Sequence, residues 1–181
     1  MRVITGIARG RRLQTLAGDD VRPTTDKVKE SVFSIIQFEV EGRMFLDLFA
    51  GSGQMGIEAL SRGAKGACFL DTRKDAINII RKNLESVNLY DKAQVRSTDS
   101  FIFLQSCSEK FDVAFVDPPY NKGLAKRALE LLPKVMNPTG VIVAETADTE
   151  ELPEKVGDFR LDRTYRYGKI KITTYRQPEE D

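Results

Sequence analysis

Apolar positions along this chain keep switching between two rhythms. From Met44 onward, short apolar runs alternate with stretches in which apolar residues return every three or four positions. The runs predict buried strands over Phe45–Phe49, Ala67–Asp71, Gln94–Thr98, Phe111–Val116 and Val141–Glu145. The spaced stretches predict helices over Gln54–Arg62, Asp75–Leu89, Ser100–Cys107 and Lys122–Met136, the last stopping before Pro138. Ile77, Ile80, Leu84 and Val87 share one helical face, which should meet the sheet. Such alternation implies a parallel sheet covered by helices on both faces, an α/β fold.

Both ends break the rhythm. Arg2–Ala8 and Arg12–Leu16 are β-prone pieces joined through Arg9-Gly10-Arg11, which predicts a hairpin with arginines at its tip. Pro23 to Asp26 offers helix-start residues, and Val28, Val32, Ile35 and Ile36 then line one helical face. Residues 1–43 thus form a hairpin-and-helix extension on a main domain of residues 44–181. At the other end, Phe159–Arg166 and Lys169–Tyr175 meet through Tyr167-Gly168 with no helix between them. They predict an antiparallel hairpin added to the sheet.

Composition narrows the chemistry. With 181 residues, 41% hydrophobic and 30% charged, the chain suits one globular domain with a small appendage. It has no histidine, so histidine acid–base catalysis and histidine-held metal are excluded, and no metal is expected. Cys68 and Cys107 form no CxxC, and the expected compartment is a reducing cytoplasm. No apolar stretch approaches membrane-spanning length, and a monomer is the default. Net charge is only +1, but Arg9, Arg11 and Arg12 crowd the first residues without an acid among them, as candidates for phosphate contact. The basic residues between Arg160 and Arg176 form a second such segment. A solvated charged face is the plainer explanation for both.

Gly51-Ser52-Gly53-Gln54-Met55-Gly56 fits G-x-G-x-x-G between a strand and a helix, and Asp71 ends the next strand twenty positions after Gly51. Glycines allow close backbone approach to a ligand, and Asp71 can accept from ribose hydroxyls. The loop alone leaves NAD and S-adenosyl-L-methionine both open. Asp47, four residues before the first glycine, would repel a pyrophosphate but could serve the ammonium of a methionine moiety. Asp99 and Ser100 follow the third strand, where a carboxylate can accept from an adenine amine; an N-cap for the helix starting near Ser100 explains Asp99 equally simply. Phe49, Ala50 and Thr72, beside the loop and Asp71, complete the candidate cofactor set.

The fourth strand delivers Asp117-Pro118-Pro119-Tyr120. Proline fixes φ and lacks an N–H, so nearby carbonyls stand as rigid acceptors. A carboxylate and such a carbonyl can hold both hydrogens of an exocyclic amine while a tyrosine ring stacks on the base. These four are the candidate catalytic residues.

Asp47 to Gly56 together with Asp117 to Tyr120 resemble the class I S-adenosylmethionine-dependent methyltransferases that modify exocyclic amines. Arg22-Pro23-Thr24-Thr25-Asp26-Lys27-Val28-Lys29-Glu30, Phe33, Ile4-Thr5-Gly6 and Arg9-Gly10-Arg11 narrow the resemblance to RsmD-type 16S ribosomal RNA guanine-N2 methyltransferases. That resemblance implies a Rossmann-like, mostly parallel seven-stranded sheet with an antiparallel C-terminal hairpin. It implies S-adenosyl-L-methionine as cofactor and the small ribosomal subunit as partner, and it adds Arg22 and Thr24 to the arginines as RNA-binding candidates. The nearest rival is a DNA adenine-N6 methyltransferase, which usually needs a target-recognition insert that this chain is too compact to hold. An NAD-dependent oxidoreductase is opposed by Asp47 and the tetrad, and a binding-only RNA module by the intactness of both motifs.

Overall fold

The computed structural model describes residues 1–17 and 25–180. Its strands are β1 (Met44–Asp47), β2 (Gly66–Asp71), β3 (Ala93–Ser97), β4 (Phe111–Val116), β5 (Met136–Ala147), β6 (Lys155–Val156), β7 (Phe159–Tyr167) and β8 (Ile170–Arg176). The helices are α1 (Asp26–Ile35), α2 (Gln54–Ser61), α3 (Lys74–Ser86), α4 (Ser100–Ser106) and α5 (Leu124–Leu131). All strands join one eight-stranded sheet in the order β3-β2-β1-β4-β5-β8-β7-β6. β1 to β5 run parallel, and β8 enters antiparallel between β5 and β7. Strand order reverses between β1 and β4, which opens a crevice at their C-terminal ends where open α/β sheets bind ligands.

Successive strand residues feed opposite faces. On one face Phe45, Phe69, Val113, Phe115 and Val143 pack with Val28, Val32 and Phe33 of α1, Ile57 and Leu60 of α2, and Ile77, Ile80 and Leu84 of α3. On the other, Leu46, Cys68, Leu70, Ala114 and Ile142 pack with Phe101 and Leu104 of α4 and Ala125 and Leu129 of α5. Each fully buried large apolar side chain contributes about 1.5–3 kcal/mol. α2 can press on β2 because Gly56 has no side chain: a β-carbon there would lie 2.3 Å from Phe69 Cε1. Gly56→Ala should therefore cost about 1–3 kcal/mol by overpacking and lower the melting temperature by roughly 2–12 °C. An unchanged thermal unfolding curve would mean that Phe69 moves aside without cost.

The sheet departs from expectation in four places. It has eight strands rather than seven, because the two-residue β6 pairs with the start of β7. The helix expected to run to Met136 ends at Leu131 in a 3-10 turn over Leu132–Val135, since Pro133 has no N–H with which to continue the helical ladder. β5 consequently starts at Met136 and absorbs Pro138 beside a register shift against β4. Lastly, the N-terminal hairpin reduces to a single bridge between Arg2 and Arg12. Val3 and Leu13 still donate across it, to Arg11 O (2.9 Å) and Met1 O (3.0 Å), but other amides turn to α2: Ile4 and Thr5 donate to the Glu58 carboxylate (2.7 and 3.1 Å), and Ala8 donates to Ser61 Oγ (2.9 Å).

Glu58 is fully buried, and so is its partner Lys29 of α1, whose ammonium lies 3.9 Å away and donates to the Arg2 carbonyl at 2.6 Å. Arg62 Nε adds a fourth contact to Glu58 at 3.2 Å. Burial lowers the Lys29 pKa, with Glu58 acting against that shift. The N-terminal residues thus share the core of the main body: Val3, Ala8 and Leu13 pack in the same cluster as α1 and α2.

Candidate functional site

The ends of β1, β2, β4 and β5 enclose a crevice of about 820 Å³. From β1 and the glycine loop it takes Asp47, Phe49, Ala50, Gly51 and Ser52, and from β2 Asp71 and Thr72. Asp117, Pro118, Pro119 and Tyr120 form the facing wall after β4. The two motifs, sixty residues apart in sequence, therefore share one cavity.

The loop's conformation follows from its residues. Gly53 caps α2 with φ +82, a left-handed conformation that an L side chain rarely adopts. Its neighbour Asp47 is buried and accepts from the Gly56 N–H at 3.3 Å. Desolvation lifts the Asp47 carboxyl from 3.8 to about 7, opposed by that N–H and helped by the nearby Asp71. Asp71 accepts from the Gly51 N–H at 3.0 Å and the Arg73 N–H at 2.9 Å, tying the end of β2 to the glycine loop. On the facing wall, Tyr120 donates its phenol proton to Glu145 Oε1 at 2.9 Å, which holds its ring edge against β5.

Four cofactor candidates stand outside the crevice lining. Gly53 and Gly56 shape the loop and its packing. Asp99 caps α4, its Oδ1 accepting from Phe101 N (2.9 Å) and Ile102 N (3.0 Å), while Ser100 Oγ donates to the Leu48 carbonyl. The N-cap reading of Asp99 is thus the one its hydrogen bonds express.

Arg9, Arg11 and Arg12 are exposed, and none lines the crevice. Arg11 donates to the Ser86 carbonyl at the C-terminus of α3. That C-terminus lies one helical turn past Asn83, whose side chain reaches Ser52 of the crevice wall. Arg12 precedes the wall residue Thr15 by three positions, so the arginine turn borders the crevice from its N-terminal side. Arg22 and Thr24 lie outside the described residues.

Sequence reading missed other wall residues. Met1, Thr15 and Leu16 bring the N-terminal segment to the mouth of the glycine loop. Asn83 of α3 fastens it there: its amide donates to Gln14 O (3.0 Å) and Ser52 O (2.9 Å) and accepts from Gln14 N (2.8 Å). Glu145, 2% exposed, was read only as a strand end; an acid closing the apolar run Val141–Ala144 was the available signal. Among the described residues no acid or cysteine cluster could hold a metal ion, and no helix is long and apolar enough to cross a membrane.

This arrangement recurs in known proteins. The chain is 42% identical over 182 residues to YlbH of Bacillus subtilis, covering 98% of this chain and 99% of that protein. It is 38% identical over 157 residues to the ribosomal RNA small subunit methyltransferase D of Haemophilus influenzae, covering 84% and 81%. The solved structure of yhhF from Escherichia coli superimposes with a TM-score of 0.85 at 30% identity, covering 99% of each chain. A glycine loop and the Asp117–Tyr120 tetrad in one crevice, on a sheet of this topology and with these relatives, lead to one assignment: matching the model of Conserved hypothetical protein 95 over residues 1–176, the chain belongs to the RsmD family of class I methyltransferases.

Proposed function

We propose that this methyltransferase carries a methyl group from S-adenosyl-L-methionine to the exocyclic N2 amine of a guanine in 16S ribosomal RNA, acting as a cytoplasmic monomer on the small ribosomal subunit or its precursor. The observation that carries the reading is the shared crevice: Asp117 to Tyr120 form one wall of the cavity whose other wall is Asp47 to Ser52 and Asp71. Relatives that bear the name ribosomal RNA small subunit methyltransferase D support the choice of substrate.

The residues present suit the cofactor. A buried acid at Asp47 answers an ammonium, glycine backbone at residues 51 and 53 allows close approach, and Asp71 can accept from a ribose diol. When bound, S-adenosyl-L-methionine supplies an electrophilic methyl group on a sulfonium. The protein's own contribution is to position the amine. Guanine N2 is a poor nucleophile because its lone pair is delocalised into the ring. Asp117 and the Pro118 carbonyl accept its two hydrogens, favour the attacking geometry and stabilise positive charge growing on nitrogen. Tyr120 stacks on a base turned out of its helix or loop.

Labelled S-adenosyl-L-methionine offered with small subunits, free ribosomal RNA and duplex DNA tests the reading. Label should enter ribosomal RNA and map to guanine N2. Label in duplex DNA adenine, or none in any RNA, would overturn it.

Asp47 adds a pH dependence. Its folded pKa of about 7 exceeds its unfolded value of 3.8, so the ligand-free fold binds the proton more tightly than the unfolded chain. Stability contributed by this group is therefore lost as pH rises through that interval, and pairing with an ammonium restores it. Affinity for S-adenosylhomocysteine, which carries the same ammonium, should weaken by up to about tenfold per pH unit below 7. Asp47→Asn should bind weakly with a flat profile. Calorimetric titrations at pH 5.5 to 7.5 check both, and a wild-type affinity independent of pH would remove Asp47 from the ammonium site.

A further inference from the structure

The tetrad explains how an amine is held but not which base carries it, because Asp117 and a carbonyl accept equally from guanine N2 and adenine N6. The two bases differ in what flanks that amine. Beside guanine N2 lies N1–H, a donor; beside adenine N6 lies N1, an acceptor. The group standing next to the amine clamp therefore decides the base.

In this fold that neighbour is an acid. β4 and β5 are parallel with Val116 beside Ala144, so the next positions, Asp117 just past the end of β4 and Glu145 within β5, are neighbours about 4.8 Å apart across the sheet. Both line the crevice. Glu145 is 2% exposed, and β8 flanks β5 on its other side with Ile172 beside Glu145. Its carboxyl group is anchored by the Tyr120 phenol at 2.9 Å, so it sits at the rim of the ring proposed to carry the base. We infer that Glu145 is the specificity-determining residue, reading the N1–H of a guanine whose N2 amine is held by Asp117. This rests on the amine-methylation reading above. A carboxylate offers several lone-pair directions, so the Tyr120 hydrogen bond and an N1–H are compatible acceptances. Adenine would oppose its N1 lone pair to a buried acid, leaving two acceptors face to face. The Tyr120–Glu145 pair then couples the stacking platform to the edge reader: one bond sets the ring and the carboxyl group together.

The test uses 2-aminopurine, which keeps the exocyclic amine at C2 but has a bare acceptor at N1. Small subunits are reconstituted with ribosomal RNA carrying guanine or 2-aminopurine at the mapped target nucleotide, and initial methylation rates are compared. Wild-type enzyme should prefer guanine by at least about 100-fold, the scale on which sites built to pair a hydrogen-bonding group reject analogues lacking it. Glu145→Gln, whose amide can turn a donor toward N1, should bring the ratio within about tenfold. Tyr120→Phe, which releases the carboxyl group from the ring, should slow both substrates and lower the ratio less than Glu145→Gln does. The missing 6-oxygen of 2-aminopurine affects both enzymes alike, so the change in ratio isolates N1. S-adenosylhomocysteine binding by Glu145→Gln confirms a folded cofactor site. A wild-type ratio near one, or the same ratio in wild type and Glu145→Gln, would overturn the assignment while guanine methylation itself stands. Absence of wild-type methylation at any guanine would instead overturn the parent reading, and this one with it.

Discussion

Asp117→Ala is expected to lower single-turnover methyl transfer by about 10²–10³-fold, or roughly 3–4 kcal/mol, while S-adenosylhomocysteine binding stays within about twofold. The separation of the two effects follows from position. Asp117 follows the last residue of β4, so its side chain takes no part in the strand's register with β1 or β5. The groups proposed to face the cofactor come from β1 and β2 on the other wall. What disappears is an acceptor aimed at charge that develops on the amine only as the methyl arrives, and a loss confined to the transition state appears in turnover rather than in ground-state binding. Asp117→Asn keeps the size and one acceptor oxygen and should fall between alanine and wild type. Turnover of the alanine variant within about tenfold of wild type would remove the carboxylate from a central role.

The fold was largely legible because its signals are local and repeated. Five parallel strands and the C-terminal hairpin follow from apolar runs and a Tyr167-Gly168 turn, and Ile77, Ile80, Leu84 and Val87 do share a buried face. The motif residues of both walls were legible for the same reason: glycines, prolines and acids at strand ends break an otherwise apolar pattern. What escaped depends on long-range pairing. No local rule says that the amides of Ile4 and Thr5 abandon a hairpin for a carboxylate fifty-odd residues away on α2. Nor does periodicity reveal that Met1 and Leu16 wall a crevice built by β1 and β2, since that follows from the Asn83 clamp. Pro133 is a helix breaker in plain view, but the apolar spacing on either side of it continues the helical pattern. The arginines of the N-terminal turn were legible as a charge cluster, but their place beside the crevice depends on Asn83 holding Gln14 against Ser52.

Glu58→Ala should be the most damaging substitution for stability, at about 3–5 kcal/mol, which for a chain of this length lowers the melting temperature by roughly 6–20 °C. The cost is chiefly what remains behind. Lys29 stays fully buried without its carboxylate, and the amides of Ile4 and Thr5 lose their acceptor. The pH dependence identifies the mechanism. Burial already lowers the Lys29 pKa, and Glu58 is the largest influence holding it up. In the variant it falls further, so near neutral pH the folded state must either bury an unpaired charge or give up a proton that the unfolded chain keeps. That cost shrinks as pH rises toward the ordinary lysine pKa of 10.5, where the unfolded chain loses the proton as well. The melting-temperature deficit should therefore narrow between pH 7 and pH 10, and a deficit constant across that range would mean that lost packing, not Lys29, dominates. A functional effect follows from the same residues. The segment Glu58 fastens leads through Leu13 and Gln14 to Thr15 and Leu16 at the mouth of the glycine loop. Loosening it should weaken S-adenosylhomocysteine binding even well below the melting temperature. Combining Glu58→Gln with Lys29→Met keeps an acceptor for the N-terminal amides and removes the stranded ammonium, and should recover at least half of the lost stability and the cofactor affinity together.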